Sequence, residues 1–254
     1  MTTWLIAHNT FRETTRDRLL AGAIAAGVAL LAVTQLLSPL AMGEGRRLTI
    51  DLGLSGISWL GLLVVLLVGT SLVAKELERR TIFNLLSRPI SRPGYLVGKW
   101  AGLSATLWLV VLSMGLALCV LLALRGDGAF VPGVIQNVLL AGLELMVMTS
   151  IAVMCSALST PVLSALYTLG FFIVGQWSYD LRGFAEGAPA LLRGLLEVTA
   201  DLAPNLPLFN ARTLAAGGHL TTLAHLGLAT AYAAVYSGCV LGLAAAAFES
   251  RDFK

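Results

Sequence analysis

KELERRTIFNLLSRPISRPGYLVGK, residues 75–99, breaks into an otherwise apolar chain with six of its 17 basic residues. Lys75, Arg79, Arg80, Arg88, Arg92 and Lys99 stand between two hydrophobic runs, each long enough to cross a bilayer. Lys and Arg collect in the cytoplasmic connections of membrane proteins. The segment is therefore predicted to face the cytoplasm and to dock something there.

Composition supports the class. Hydrophobic residues make up 57% of the 254-residue chain and charged residues 12%, with a mean hydropathy of +0.84. A soluble domain of this make-up would expose large apolar patches, so the chain reads as an integral membrane protein. Its net charge of +3 comes from cations at the ends of apolar runs rather than from a basic patch, which argues against a nucleic-acid partner.

Six segments approach the ~20 residues needed to span ~30 Å of hydrocarbon: 19–40, 52–74, 100–124, 134–158, 159–178 and 221–248. Pro39, Pro132 and Pro161 fall at their ends, where a missing N–H costs little. The prediction is an all-α, single-domain bundle over residues 1–254, since a helix satisfies its own backbone groups in lipid. With both termini inside, eleven Lys and Arg residues are cytoplasmic and six are outside (Arg46, Arg47, Arg125, Arg182, Arg193 and Arg212). The expected location is the inner membrane, multi-pass, with cytoplasmic termini. The first apolar run follows eighteen largely polar residues and exceeds a signal h-region, so no cleavable signal peptide is expected.

Two flanking stretches look amphipathic. Trp4, Leu5, His8 and Phe11 share a helical face opposite Arg12, Glu13, Arg16 and Asp17, the pattern of an interfacial helix or of a simple anchor for the first span. In the outer connection 179–220, Leu191, Leu195, Val198 and Leu202 form an apolar stripe that Pro204 and Pro207 terminate, which predicts a folded cap.

Enzymatic signatures are missing. There is no His-Glu-x-x-His, no pair of Asp residues beside a span and no Gly-x-Ser-x-Gly. Cys119, Cys155 and Cys239 lie in apolar spans without metal or disulfide spacing. Gly94-Tyr-Leu-Val-Gly98-Lys99-Trp100 fails as a phosphate loop, because three residues rather than four separate its glycines and Trp100 stands where Ser or Thr must hold Mg²⁺. The chain is predicted to bind no cofactor or metal and to hydrolyse no ATP itself.

Glu76, Glu78, Arg79 and Arg80 extend the second span beyond the membrane, and Ile82, Phe83, Leu85 and Leu86 add a short apolar face ending at Arg88-Pro89. An amphipathic helix at the tip of a charged loop suits a groove in a soluble partner. This run, followed by Tyr95-Leu-Val-Gly-Lys99, resembles the loop between spans two and three of permease subunits of the ABC type 2 exporter family. The resemblance implies a coupling helix over 81–87, seated on a cytosolic ATPase present in two copies that holds the ATP and Mg. It also implies a second permease, identical or related, and substrate movement across the inner membrane. A second reading has the permease relay force to a periplasmic or membrane partner at 179–220 without passing a substrate.

Within the spans only Glu144 is unambiguously ionisable. A carboxylate at a helix centre costs about 2.5 to 3.5 kcal/mol on insertion scales, which marks Glu144 as a pathway candidate. The alternatives are a protonated carboxyl hydrogen-bonded to a neighbouring span and a side chain reaching the outer interface. Counted from Leu158, Glu144 lies roughly 8 Å deep in the outer half, and His225 is its nearest candidate partner. The pairs Gly98/Gly102 and Gly238/Gly242 permit close helix approach without locating a dimer seam.

Overall fold

The computed structural model describes residues 2–41, 43–72, 92–186 and 189–249, and every regular element among them is helical. The expected coupling segment, with Glu76, Glu78, Arg79, Arg80, Ile82, Phe83, Leu85, Leu86 and Arg88, lies outside the described residues. In chain order the helices are α1 (Thr2–Thr15), α2 (Arg18–Leu37), α3 (Gly45–Leu67), α4 (Arg92–Leu124) and α5 (Val131–Leu158). They continue as α6 (Pro161–Gln176), α7 (Ser178–Glu186), α8 (Ala190–Leu202), α9 (Arg212–Ala216) and α10 (Leu223–Glu249).

Five helical stretches are long and apolar enough to cross a membrane: Arg18–Ala41, Gly45–Ser71, Pro93–Leu124, Gly128–Leu158 and Leu223–Ala247. The remaining expected span, the fifth in chain order, is the shorter α6, whose 16 residues rise only about 24 Å. Helix α5 is the centre of the bundle, flanked by α3, α4, α6 and α10. Val134, Leu140, Leu145, Met148 and Ala152 are buried along its length.

Two helices begin earlier than apolarity alone suggests. Helix α3 starts at Gly45 rather than Leu52, because the charges of its first turns have partners. The Arg46 guanidinium lies over the Phe130 ring at 4.1 Å and 3.6 Å from Asp127, while Arg125 donates to Thr49 Oγ1 and Ser38 Oγ. Helix α4 starts at Arg92 rather than Trp100, so Lys99 is buried within a helix, its ammonium 5.8 Å from the centroid of the Tyr95 ring.

Local chemistry sets the ends. The Asp17 carboxylate accepts from the Leu19 N–H and caps α2. Only Ser159 and Thr160 separate α5 from α6, and Pro161 begins the latter with its fixed φ. The Cys155 carbonyl accepts the Ser159 N–H at 2.9 Å, and the Ser159 and Ser164 hydroxyls donate to it as well, tying the start of α6 to the end of α5.

The glycine pairs behave differently from each other. Gly98 and Gly102 let α1 lie against α4: a methyl at Gly102 would stand 2.5 Å from the Ala7 carbonyl oxygen. Ile6, Ala7, Thr10 and Thr14 turn towards the bundle, while Trp4, Leu5 and His8 are exposed. The small residues of α1, rather than its aromatic face, make the contact. Gly238 and Gly242 of α10 face open space.

Candidate functional site

Glu144 sits at the middle of α5, about 20 Å along the helix from Val131. Helix α5 runs on past Leu139 to Val131, so Glu144 lies near its midpoint rather than near an end. Only 3% of the residue is exposed. A buried carboxylate must be hydrogen-bonded and electrically compensated, since desolvating an ion costs several kcal/mol. Three elements supply those partners. Gln176, the last residue of α6, donates from Nε2 to Oε1 at 2.8 Å. Ser58 of α3 donates from Oγ to Oε2 at 3.3 Å. The nearby positive charge is Arg212, the first residue of α9.

Arg212 reaches the carboxylate through Ser58. Its Nη2 donates to Ser58 Oγ at 2.8 Å and its Nη1 to Ser55 Oγ at 2.9 Å. Ser58 thus accepts from the guanidinium and donates its own O–H to Glu144, using both capacities of a hydroxyl. Close helix packing makes this possible, for a Cβ at Gly61, one turn from Ser58, would collide with the Leu145 side chain of α5. The Trp59 ring packs edge-on against Phe172 at 5.5 Å and sets α6 beside α3.

Among the described residues Ser58 and Gln176 hydrogen-bond to Glu144, and His225 bonds elsewhere. Its Nε2 lies 2.9 Å from the Leu208 carbonyl oxygen, so it braces the outer connection. The partner cation comes from that connection, not from a span. Pro204 and Pro207 do end helix α8, yet the residues after it pack into the bundle: Leu206, Phe209, Ala211, Ala215 and Ala216 are buried. Asn137 of α5 donates from Nδ2 to the Ala211 carbonyl at 2.9 Å, Tyr232 OH accepts from the Asn205 N–H at 2.8 Å, and Gln136 Oε1 accepts from the Thr221 N–H at 2.7 Å. The connection 179–220 is therefore partly a strap that turns back into the bundle.

Among the described residues, no group of three or more His, Cys, Asp and Glu side chains could hold a metal. The arrangement around Glu144 can accept hydrogen bonds from a donor, hold or release a proton, and respond to movement of α9. The sequence profile of the ABC-2 family transporter protein matches residues 4–212, from α1 through the strap to Arg212. The chain belongs to the ABC-2 transporter family. No curated protein is similar enough to extend that match to a particular substrate.

For this ABC-2 transporter protein, sequence reading singles out Glu144 but misses Ser55, Ser58, Gln176, Asn137 and Arg212. Some signals were there. Ser55 and Ser58 continue the helical face of Asp51, and Gln176 is a lone amide at the end of an apolar run. Arg212 gave none, because its proximity to Glu144 depends on a strap that turns back into the bundle.

Proposed function

We propose that the protein is the permease subunit of an ABC exporter of the inner membrane, working with two cytosolic ATPase subunits that bind ATP and Mg and with a second permease. In this reading α6 is the fifth of six spans and α10 the sixth, both termini are cytoplasmic, α1 lies in the cytoplasmic interface, and 81–87 is the coupling helix. Residues 1–254 act as one transmembrane domain. Family membership over 4–212 carries the reading. A carboxylate buried at mid-bundle, with a chain of polar groups leading outward, supports passage of substrate past Glu144.

The test is reconstitution. The chain alone should show no ATP turnover, and the complex with its ATPase should hydrolyse ATP. Glu144→Gln should preserve assembly and alter transport or substrate-stimulated hydrolysis, because the amide keeps the shape and removes the charge. Unchanged activity would return Glu144 to a structural role. Co-purification of a stoichiometric periplasmic protein in place of lipid or solute would favour the force relay.

A further inference from the structure

Glu44, Arg47, Asp51, Ser55 and Ser58 recur every three or four residues, so they descend one face of α3 from the outer end towards Glu144. The upper part of that face opens on a cavity of about 570 Å³, walled by Glu44 just before α3, by Arg47 and Asp51 of α3 and by Thr213 of α9. Ser55 is one turn further in than Asp51. There the polar face is crossed by the guanidinium of Arg212, bonded to Ser55 and Ser58 at 2.9 and 2.8 Å. Beyond it lies the Glu144 carboxylate. Helix α9 thus contributes Thr213 to the wall of the vestibule and, one residue earlier, the Arg212 that bonds Ser55 and Ser58 further along the polar face.

We propose that Arg212 is the outer gate of this pathway, and that the strap 203–216 carrying it must lift for a polar group to pass between the vestibule and Glu144. The inference rests on Glu144 being a pathway residue. The chemistry of the latch suits repeated opening. Arg212 is half-buried and binds neutral hydroxyls, so water or a passing polar group can replace both acceptors without pulling a direct ion pair apart. The strap is also held by burial of Leu206, Phe209, Ala211, Ala215 and Ala216, which lifting would expose, and by side chain–backbone bonds from Asn137 to the Ala211 carbonyl and between His225 and the Leu208 carbonyl, which can exchange with water. Opening has an electrical consequence as well. When Arg212 leaves, Glu144 keeps Ser58 and Gln176 but loses its nearby cation. An ionised carboxylate only accepts hydrogen bonds, so the open site takes a donor or a cationic group.

The experiment uses the full chain in cells, with Cys119, Cys155 and Cys239 replaced. One reporter is Ala141→Cys, buried one turn outward of Glu144 on α5, and the other is Asp51→Cys at the vestibule wall. The probe is a membrane-impermeant trimethylammonium methanethiosulfonate added from outside. Asp51→Cys should react at the same rate with or without Arg212→Gln. Ala141→Cys should react slowly in the parent and about tenfold faster or more with Arg212→Gln, the factor expected for losing even one charge-assisted hydrogen bond of the latch. Ser55→Ala keeps Arg212 and removes one arm, so it should give a smaller rise, and it decides the matter alone if Arg212→Gln does not accumulate. Unchanged labelling of Ala141→Cys overturns the gate. Faster labelling, with parental hydrolysis in a Glu144→Gln complex, keeps the latch and withdraws the pathway role of Glu144.

Discussion

Replacing Arg212 with methionine tests whether Glu144 and the strap form one electrostatic unit. Methionine keeps most of the apolar stem but leaves the carboxylate with two neutral donors, Ser58 Oγ and Gln176 Nε2. Removing one member of a directly bonded buried ion pair costs about 3 to 5 kcal/mol. Here Ser58 intervenes and Arg212 is half-buried, so the loss should be lower, about 2 to 3 kcal/mol. Glu144→Gln should cost about 1 kcal/mol or less, since its amide can still bond to Gln176 and Ser58. Once that charge is gone, Arg212 has little left to neutralise. The double variant should therefore be more stable than the two single losses predict, with a coupling of about 1 to 2 kcal/mol. Reversible unfolding in mixed micelles titrated with SDS would measure all four proteins. Additivity within about 0.5 kcal/mol would refute the coupling and leave Arg212 as a tether for α9 alone.

Three further outcomes are expected. Single cysteines at Ser91 and Gly187, in a background without native cysteines, should label from opposite sides of the membrane; labelling of both from outside whole cells would defeat the six-span arrangement. Gly102→Val should push the Ala7 backbone away and undock α1 at a cost of about 1 to 3 kcal/mol. Faster tryptic cleavage at Arg12 and Arg16 in the solubilised protein would reveal this, and parental cleavage and stability would contradict it. Phe83→Ala with Leu86→Ala, each removing a side chain whose full burial is worth about 1.5 to 3 kcal/mol, should strip the ATPase from the purified complex. A full complement of ATPase and parental transport would sink the coupling-helix reading.

Helical, membrane-spanning character was legible in the sequence because it depends on composition and run length, both local properties. Glu144 stood out for the same reason, as a lone carboxylate in an apolar run. What surrounds it depends on contacts between residues far apart in the chain, such as Ser58 with Arg212 and Glu144 with Gln176, which periodicity does not encode. The start of α3 was misplaced by a similar limit: Arg46 looks like a loop residue until Asp127 and Phe130 are brought beside it. Position along the chain makes His225 a candidate beside Glu144, but it does not encode the Leu208 carbonyl that its ring nitrogen meets.

The two-residue junction between α5 and α6 constrains how the bundle can move. Ser159 and Ser164 both hold the Cys155 carbonyl, and their hydroxyls lie 2.9 Å apart, so the near end of α6 is riveted to α5. Any movement left to α6 is angular, like that of a compass leg about its pin, and works against the packing of Phe172 on Trp59. Because α6 is 16 residues long, a swing of about 10° about that pin carries its far end about 4 Å. Gln176 is at that far end, and its bond to Glu144 is 2.8 Å long. A tilt too small to disturb the junction is enough to part the amide from the carboxylate, which makes this short helix a lever whose tip reads out its angle.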